Sequence, residues 1–172
     1  VLGDFMKRGN LMEQPLMHIL IIVGMALVLL FGIRSVMNIL SVSDDVELGD
    51  FVLRVRDDVQ VFKNFDVGSY KTVSFSVPSK VERVCFFNPA FRVTARGVSD
   101  LLRAAVETST QENVFIEPFD GFTKTTYFIE DLWAGQEENP LCFATKGRLS
   151  FTLETTLQND DIVVAVGRLP PS

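Results

Sequence analysis

The stretch from Leu16 to Ile33 reads LMHILIIVGMALVLLFGI and carries no charged residue. No other segment restricts the fold of this chain so strongly. At about 18 residues it reaches the lower end of what crosses a hydrocarbon core as a helix. Arg34 interrupts it, and Ser35 to Leu40 resumes the apolar character. A long Arg side chain can lay its stem on apolar surface and carry its charge to the interface. The predicted transmembrane helix therefore spans 16–40 and stops before Asp44 and Asp45. A buried core helix would show a polar face, and this one has none. A cleaved secretory signal would be followed by a small-x-small site. Ser41-Val42-Ser43 serves poorly as one. A retained anchor is the expectation.

Lys7 and Arg8 precede the helix, and Asp44, Asp45, Glu47 and Asp50 follow it. The short basic tail, residues 1–15, predicts a cytoplasmic N-terminus and a C-terminal domain outside. Arg34, Arg54 and Arg56 reduce that contrast, so the cysteines matter for the compartment. There are two, Cys85 and Cys142, both beyond the anchor and both in apolar, strand-like surroundings. An even count in an exported domain predicts one disulfide. Two buried thiols are the alternative, since Cys also serves as a small core residue.

Beyond the anchor, residues 41–66 read as an amphipathic helical stalk. Leu48, Val52, Val55, Val59 and Phe62 recur at spacings of four and three, which suits a helix packed on a sheet or on other helices. Asp66-Val67-Gly68-Ser69 ends it with turn chemistry. Residues 67–172 read as a β-rich domain. Val73, Phe75 and Val77 alternate with Thr72, Ser74 and Ser76, the pattern of a half-buried strand. Further strands are predicted over 81–87, 114–118, 122–129, 141–144, 148–157 and 162–168, with Asp120-Gly121 as a hairpin turn. Ser99 should cap a short helix over 99–107. The predicted class is α+β: a transmembrane helix and an amphipathic helix, then an antiparallel, sandwich-like domain.

Met6-Lys7-Arg8-Gly9 looks like a natural start followed by a short basic leader, with Val1 to Phe5 as an extension ahead of it. Asn10-Leu11-Met12-Glu13 then leads straight into the apolar helix, and a β-rich head follows. In these features the chain resembles small archaeal type IV pilin-like proteins. The resemblance rests by motif on about the first forty residues of the chain. It implies cleavage between Gly9 and Asn10 and bundling of the released helices in a filament. Glu13 would then neutralise a neighbouring amino terminus inside the desolvated bundle. The chain departs from the family pattern at three places. Residue 10 is Asn where Gln is usual, Glu13 is the fourth residue after Gly9 rather than the fifth, and Pro15 falls early in the helix. A first-turn Pro is compatible with a helix.

Other chemistries find little support. The single His, His18, lies inside the apolar segment, so neither a Ser/His/Asp set nor a zinc site is expected. Ser76, Ser79 and Lys80 are candidates for a Ser/Lys pair, yet Ser79-Lys80 reads as a turn. The acidic pairs Asp44/Asp45, Asp57/Asp58, Glu137/Glu138 and Asp160/Asp161 read as solvated faces and turns. A net charge of −6 without a basic patch argues against nucleic acid. Gly24 and Gly32, eight residues apart in the anchor, are candidate positions for close helix packing. A seam of Leu48, Val52, Val55 and Phe62 would extend that contact outward. No cofactor or metal is expected. The expected partners are the lipid bilayer and either other copies of this chain or other membrane subunits. The expected function is structural, a pilin-like surface protein; the alternative is a single-pass accessory subunit of a membrane complex without catalytic activity.

Overall fold

The structure is a computed structural model that describes residues 10–95, 97–135 and 138–169. Helix α1 runs from Asn10 to Phe62 as one element of 53 residues. The sequence predicts two helices divided at the acidic cluster; the chain makes one. No Pro lies between residues 16 and 62, and a lone Gly such as Gly49 costs only about 1 kcal/mol relative to Ala. Charges on a helix face do not end a helix. The chain divides into two compact units, residues 1–42 and residues 43–172.

In the first unit, α1 is long and apolar enough to cross a membrane. The second unit holds the last five turns of α1 and everything after it. Its strands are β1 (Tyr70–Ser76), β2 (Arg83–Phe86), β3 (Val114–Glu117), β4 (Thr126–Tyr127), β5 (Leu132–Ala134), β6 (Leu141–Ala144), β7 (Arg148–Gln158) and β8 (Asp161–Gly167), and α2 is Asp100–Thr108. They form two four-stranded sheets, ordered β1-β7-β8-β5 and β4-β3-β2-β6. Every pairing is antiparallel except β5 with β8, which is parallel. That pairing departs from the all-antiparallel expectation. Strand β5 has three residues, too few to display a period, and it joins β8 from about thirty positions away.

The elements otherwise follow local chemistry. Strand β1 buries Val73 and Phe75 and exposes Thr72, Ser74 and Ser76. Ser99 caps α2, its Oγ accepting from the Leu102 N–H at 3.1 Å. Asn159 and Asp160 turn β7 into β8, both with positive φ, a conformation Asn and Asp tolerate better than most residues. The strand predicted over 122–129 shrinks to Thr126–Tyr127, because residues 119–125 leave the sheet to reach α1.

One core joins both sheets to α1. Leu48, Phe51, Val52, Val55, Val59 and Phe62 are buried in it. Phe151 on β7 is its centre, with ring centroids 5.7 Å from Phe75, 5.2 Å from Phe86 and 5.9 Å from Phe143. Those rings come from β1, β2 and β6, so both sheets meet at one phenyl group. The other face of β2 and β3 is covered by α2, where Leu102 and Val106 pack with Cys85, Phe87 and Phe115. This double coverage explains why β3 is buried at all four positions instead of alternating.

Candidate functional site

Helix α1 presents an apolar surface that the chain leaves uncovered. Every residue from Met17 to Met37 is exposed, and Val28 and Phe31 keep 72% and 71% of their surface. Most of these residues carry long or branched apolar side chains, with His18, Arg34 and Ser35 as polar exceptions, and the backbone of a helix satisfies its own polar groups. Exposure of this surface to water is unfavourable in proportion to its area. Its physical capacity is burial, in lipid or against other apolar helices.

Gly24 and Gly32 stand on this surface. A Cβ at either would meet nothing within 4 Å, so neither Gly answers a packing need inside the chain. Each borders a shallow apolar groove, one lined by Ile21, Met25 and Val28, the other by Val28, Ile33 and Val36. Gly9 lies outside the described residues. Asn10 begins α1, and its side chain and that of Glu13 lie outside the described set.

The expected outward seam is corrected. Leu48, Val52, Val55 and Phe62 are at most 4% exposed, because they form the side of α1 that builds the core of its own domain. The apolar residues that α1 exposes in the second unit are Val46, Leu53 and Val61. Spacing alone identifies an apolar face but not the body that covers it.

Cys85 and Cys142 form the expected disulfide, bridging opposed positions of β2 and β6. Ser79-Lys80 is a turn, and the Lys80 ammonium pairs with the Asp44 carboxylate. The acidic pair Asp44/Asp45 is therefore more than a solvated face. Asp45 accepts from the Thr123 hydroxyl at 2.6 Å and from the Thr123 N–H at 3.1 Å. Those bonds, the hydroxyl's foremost, hold its carboxyl below the usual range, and Lys80 adds to the effect. At the other end of this helical stretch Lys63 donates to Asp131 at 2.7 Å, which raises its pKa, and Glu130 and Asp161 add to the rise.

Buried polar side chains staple the loops, and sequence reasoning missed them. Asn139 is fully buried; its amide donates to the carbonyls of Asn88 and Phe91, and its Oδ1 accepts from the Asn88 N–H. Asn113 does the same for Ile129, accepting from its N–H and donating to its carbonyl. Glu117 accepts from Ser99 Oγ at 2.5 Å, and Arg83 Nε lies 2.7 Å from its other oxygen as an ion pair, off the line a hydrogen bond needs. An Asn next to Pro, as at 88 and 139, signals a turn; nothing local signals that it is buried. Among the described residues, no group of three or more His, Cys, Asp or Glu side chains is placed to hold a metal ion. No family model, curated protein or solved structure matches the chain.

Proposed function

We propose that this chain is a membrane-anchored, non-catalytic structural protein of the cell surface, pilin-like in plan and a candidate filament subunit. Its first unit is the anchor and its second a sandwich-like head outside the cytoplasm. One observation carries this proposal: the surface of α1 from Met17 to Met37 is exposed and apolar apart from His18, Arg34 and Ser35, whereas the second unit completes its own core. A lipid bilayer covers such a surface, and so does a bundle of equivalent helices. The disulfide supports an oxidising compartment for the head. The basic residues Lys7 and Arg8 support a cytoplasmic N-terminus.

The mature N-terminal residue, read by mass spectrometry of protein from membranes, is the test. Asn10 as first residue supports leader processing and the pilin-like plan. A mature chain that retains Met6 removes the pilin label and leaves a plain single-pass anchor. Orientation has its own test. An impermeant amine reagent on intact cells should label Lys124 and Lys146, both exposed on the head. Labelling of Lys7 with protection of both would place the head in the cytoplasm.

A further inference from the structure

Within the second unit, the turn of α1 from Ser43 to Glu47 differs from the turns that follow. From Leu48 onward the helix is held by apolar burial, with Leu48, Phe51, Val52 and Val55 at most 3% exposed. Before Leu48 no described side chain is buried: Asp44 and Asp45 are half-buried, and Val46 and Glu47 are exposed. This turn is held to the sheets by polar contacts. Asp44 pairs with Lys80 of the β1–β2 loop, and Asp45 takes two hydrogen bonds from Thr123 of the β3–β4 loop.

The β3–β4 loop is built as a strap. It leaves β3 at Glu117, which Ser99 and Arg83 hold, and it re-enters the sheet at Thr126. Gly121 folds back on Pro118, where a Cβ would come within 3.1 Å of the proline ring. Phe122 packs against the core beside Thr123. The strap thus presents the Thr123 hydroxyl and N–H from a fixed position while its partner turn has no apolar fastening.

We propose that Asp44–Lys80 and Asp45–Thr123 form a polar clasp that sets the stiffness of the first helical turn of the head, shut or open independently of the core. Polar contacts of this kind break at low cost when a partner is lost or screened, whereas the apolar contacts from Leu48 onward persist. The turn is therefore a joint, and the strap is its latch. This inference goes beyond the proposed anchoring role and does not depend on it.

Acid should open the clasp. The charged and titratable groups around Asp45 are Asp44 on its own helix, Lys80 on the β1–β2 loop and Tyr127 on β4, whose ring carries Lys124 of the strap over it. A carboxyl held below its usual pKa contributes stability above its unfolded value, about 3.9. That contribution is lost as pH falls through the folded value. The clasp is shut at neutral pH and loosens as pH falls below the unfolded value of about 3.9 and through the lower folded value.

The test is a distance distribution between spin labels on the full chain in detergent. Cys85 and Cys142 are bonded to each other, so introduced cysteines at Val46 and Ser79 label selectively. A second pair, Leu53 and Ser79, reports on the turns held by the core. In the Asp45→Ala/Lys80→Ala chain, and to a smaller degree in Thr123→Val, the 46–79 distribution should widen about twofold while 53–79 stays narrow. The same pattern should follow acidification of the otherwise unsubstituted chain. An unchanged 46–79 width in both variants overturns the clasp. Equal widening of both pairs overturns it as well, because the turn then opens only with the whole head. Thr123→Val keeps a well-formed fold within reach if the double variant unfolds.

Discussion

Phe151 touches three other phenyl rings and has no exposed surface, so its removal should leave a cavity that neighbours on two sheets cannot all fill. Phe151→Ala should destabilise the head by about 3–5 kcal/mol, measured by denaturant unfolding of the full chain in detergent. Lys63 makes a different prediction, about pH. Its pKa is raised by Asp131, so the pair contributes stability that is complete below the unfolded value of about 10.4. That contribution is lost as pH rises through the folded value. The difference in melting temperature between the chain and Lys63→Met should be present at pH 8 and shrink as pH rises past about 10.4 and through the raised folded value. At this scale the sequence was partly legible. The apolar alternation at Val73, Phe75 and Val77 announced which side chains would be buried. The ring cluster at Phe151 and the staples at Asn113 and Asn139 were not announced, since each joins residues from distant strands and loops.

Helix α1 shows how an element can be recognised while its surroundings are not. The spacing of Leu48, Val52, Val55, Val59 and Phe62 marked an apolar face, and the same spacing serves a filament seam or a sheet. The sheets took it. Two substitutions two residues apart, on opposite faces of α1, should therefore behave in opposite ways. Val55→Asp places a charge in the core and should abolish cooperative unfolding of the head. Leu53→Asp, on an exposed position, should change stability by less than about 0.5 kcal/mol. Denaturant curves on the two proteins check both outcomes. The division between two helices was misplaced because Asp44 and Asp45 read as a boundary; they are ligands of Lys80 and Thr123, and the helix continues through them. Strands with several alternating residues, such as β1 and β7, were legible. Strands β4 and β5 were not, because two or three residues carry no period. The disulfide should contribute on the order of 4 kcal/mol, the chain-entropy value for a separation of 57 residues. The Cys85→Ala/Cys142→Ala chain should lose most of that amount.

Across the whole molecule, self-association should belong to the first unit of α1. The head has spent its helix seam on its own core, and it exposes only the scattered residues Val46, Leu53 and Val61 along α1. The apolar surface from Met17 to Met37 has no such use within the chain. In lipid it gains little from apolar burial between helices, so close packing decides whether two helices pair. Gly24 and Gly32 supply the approach: a Cβ there meets nothing in the chain, and each borders a groove that a facing helix can enter. Leu at both positions fills those grooves and keeps the segment apolar, so insertion should persist while pairing is lost. The Gly24→Leu/Gly32→Leu chain in detergent should sediment as a monomer under conditions where the unsubstituted chain forms oligomers. Its head should melt unchanged. A soluble protein of residues 43–172 should also be monomeric, helped by the net negative charge that opposes contact between heads at low salt. If residues 43–172 form the same oligomer as the full chain, the interface lies on the head, and the glycines of α1 serve another purpose.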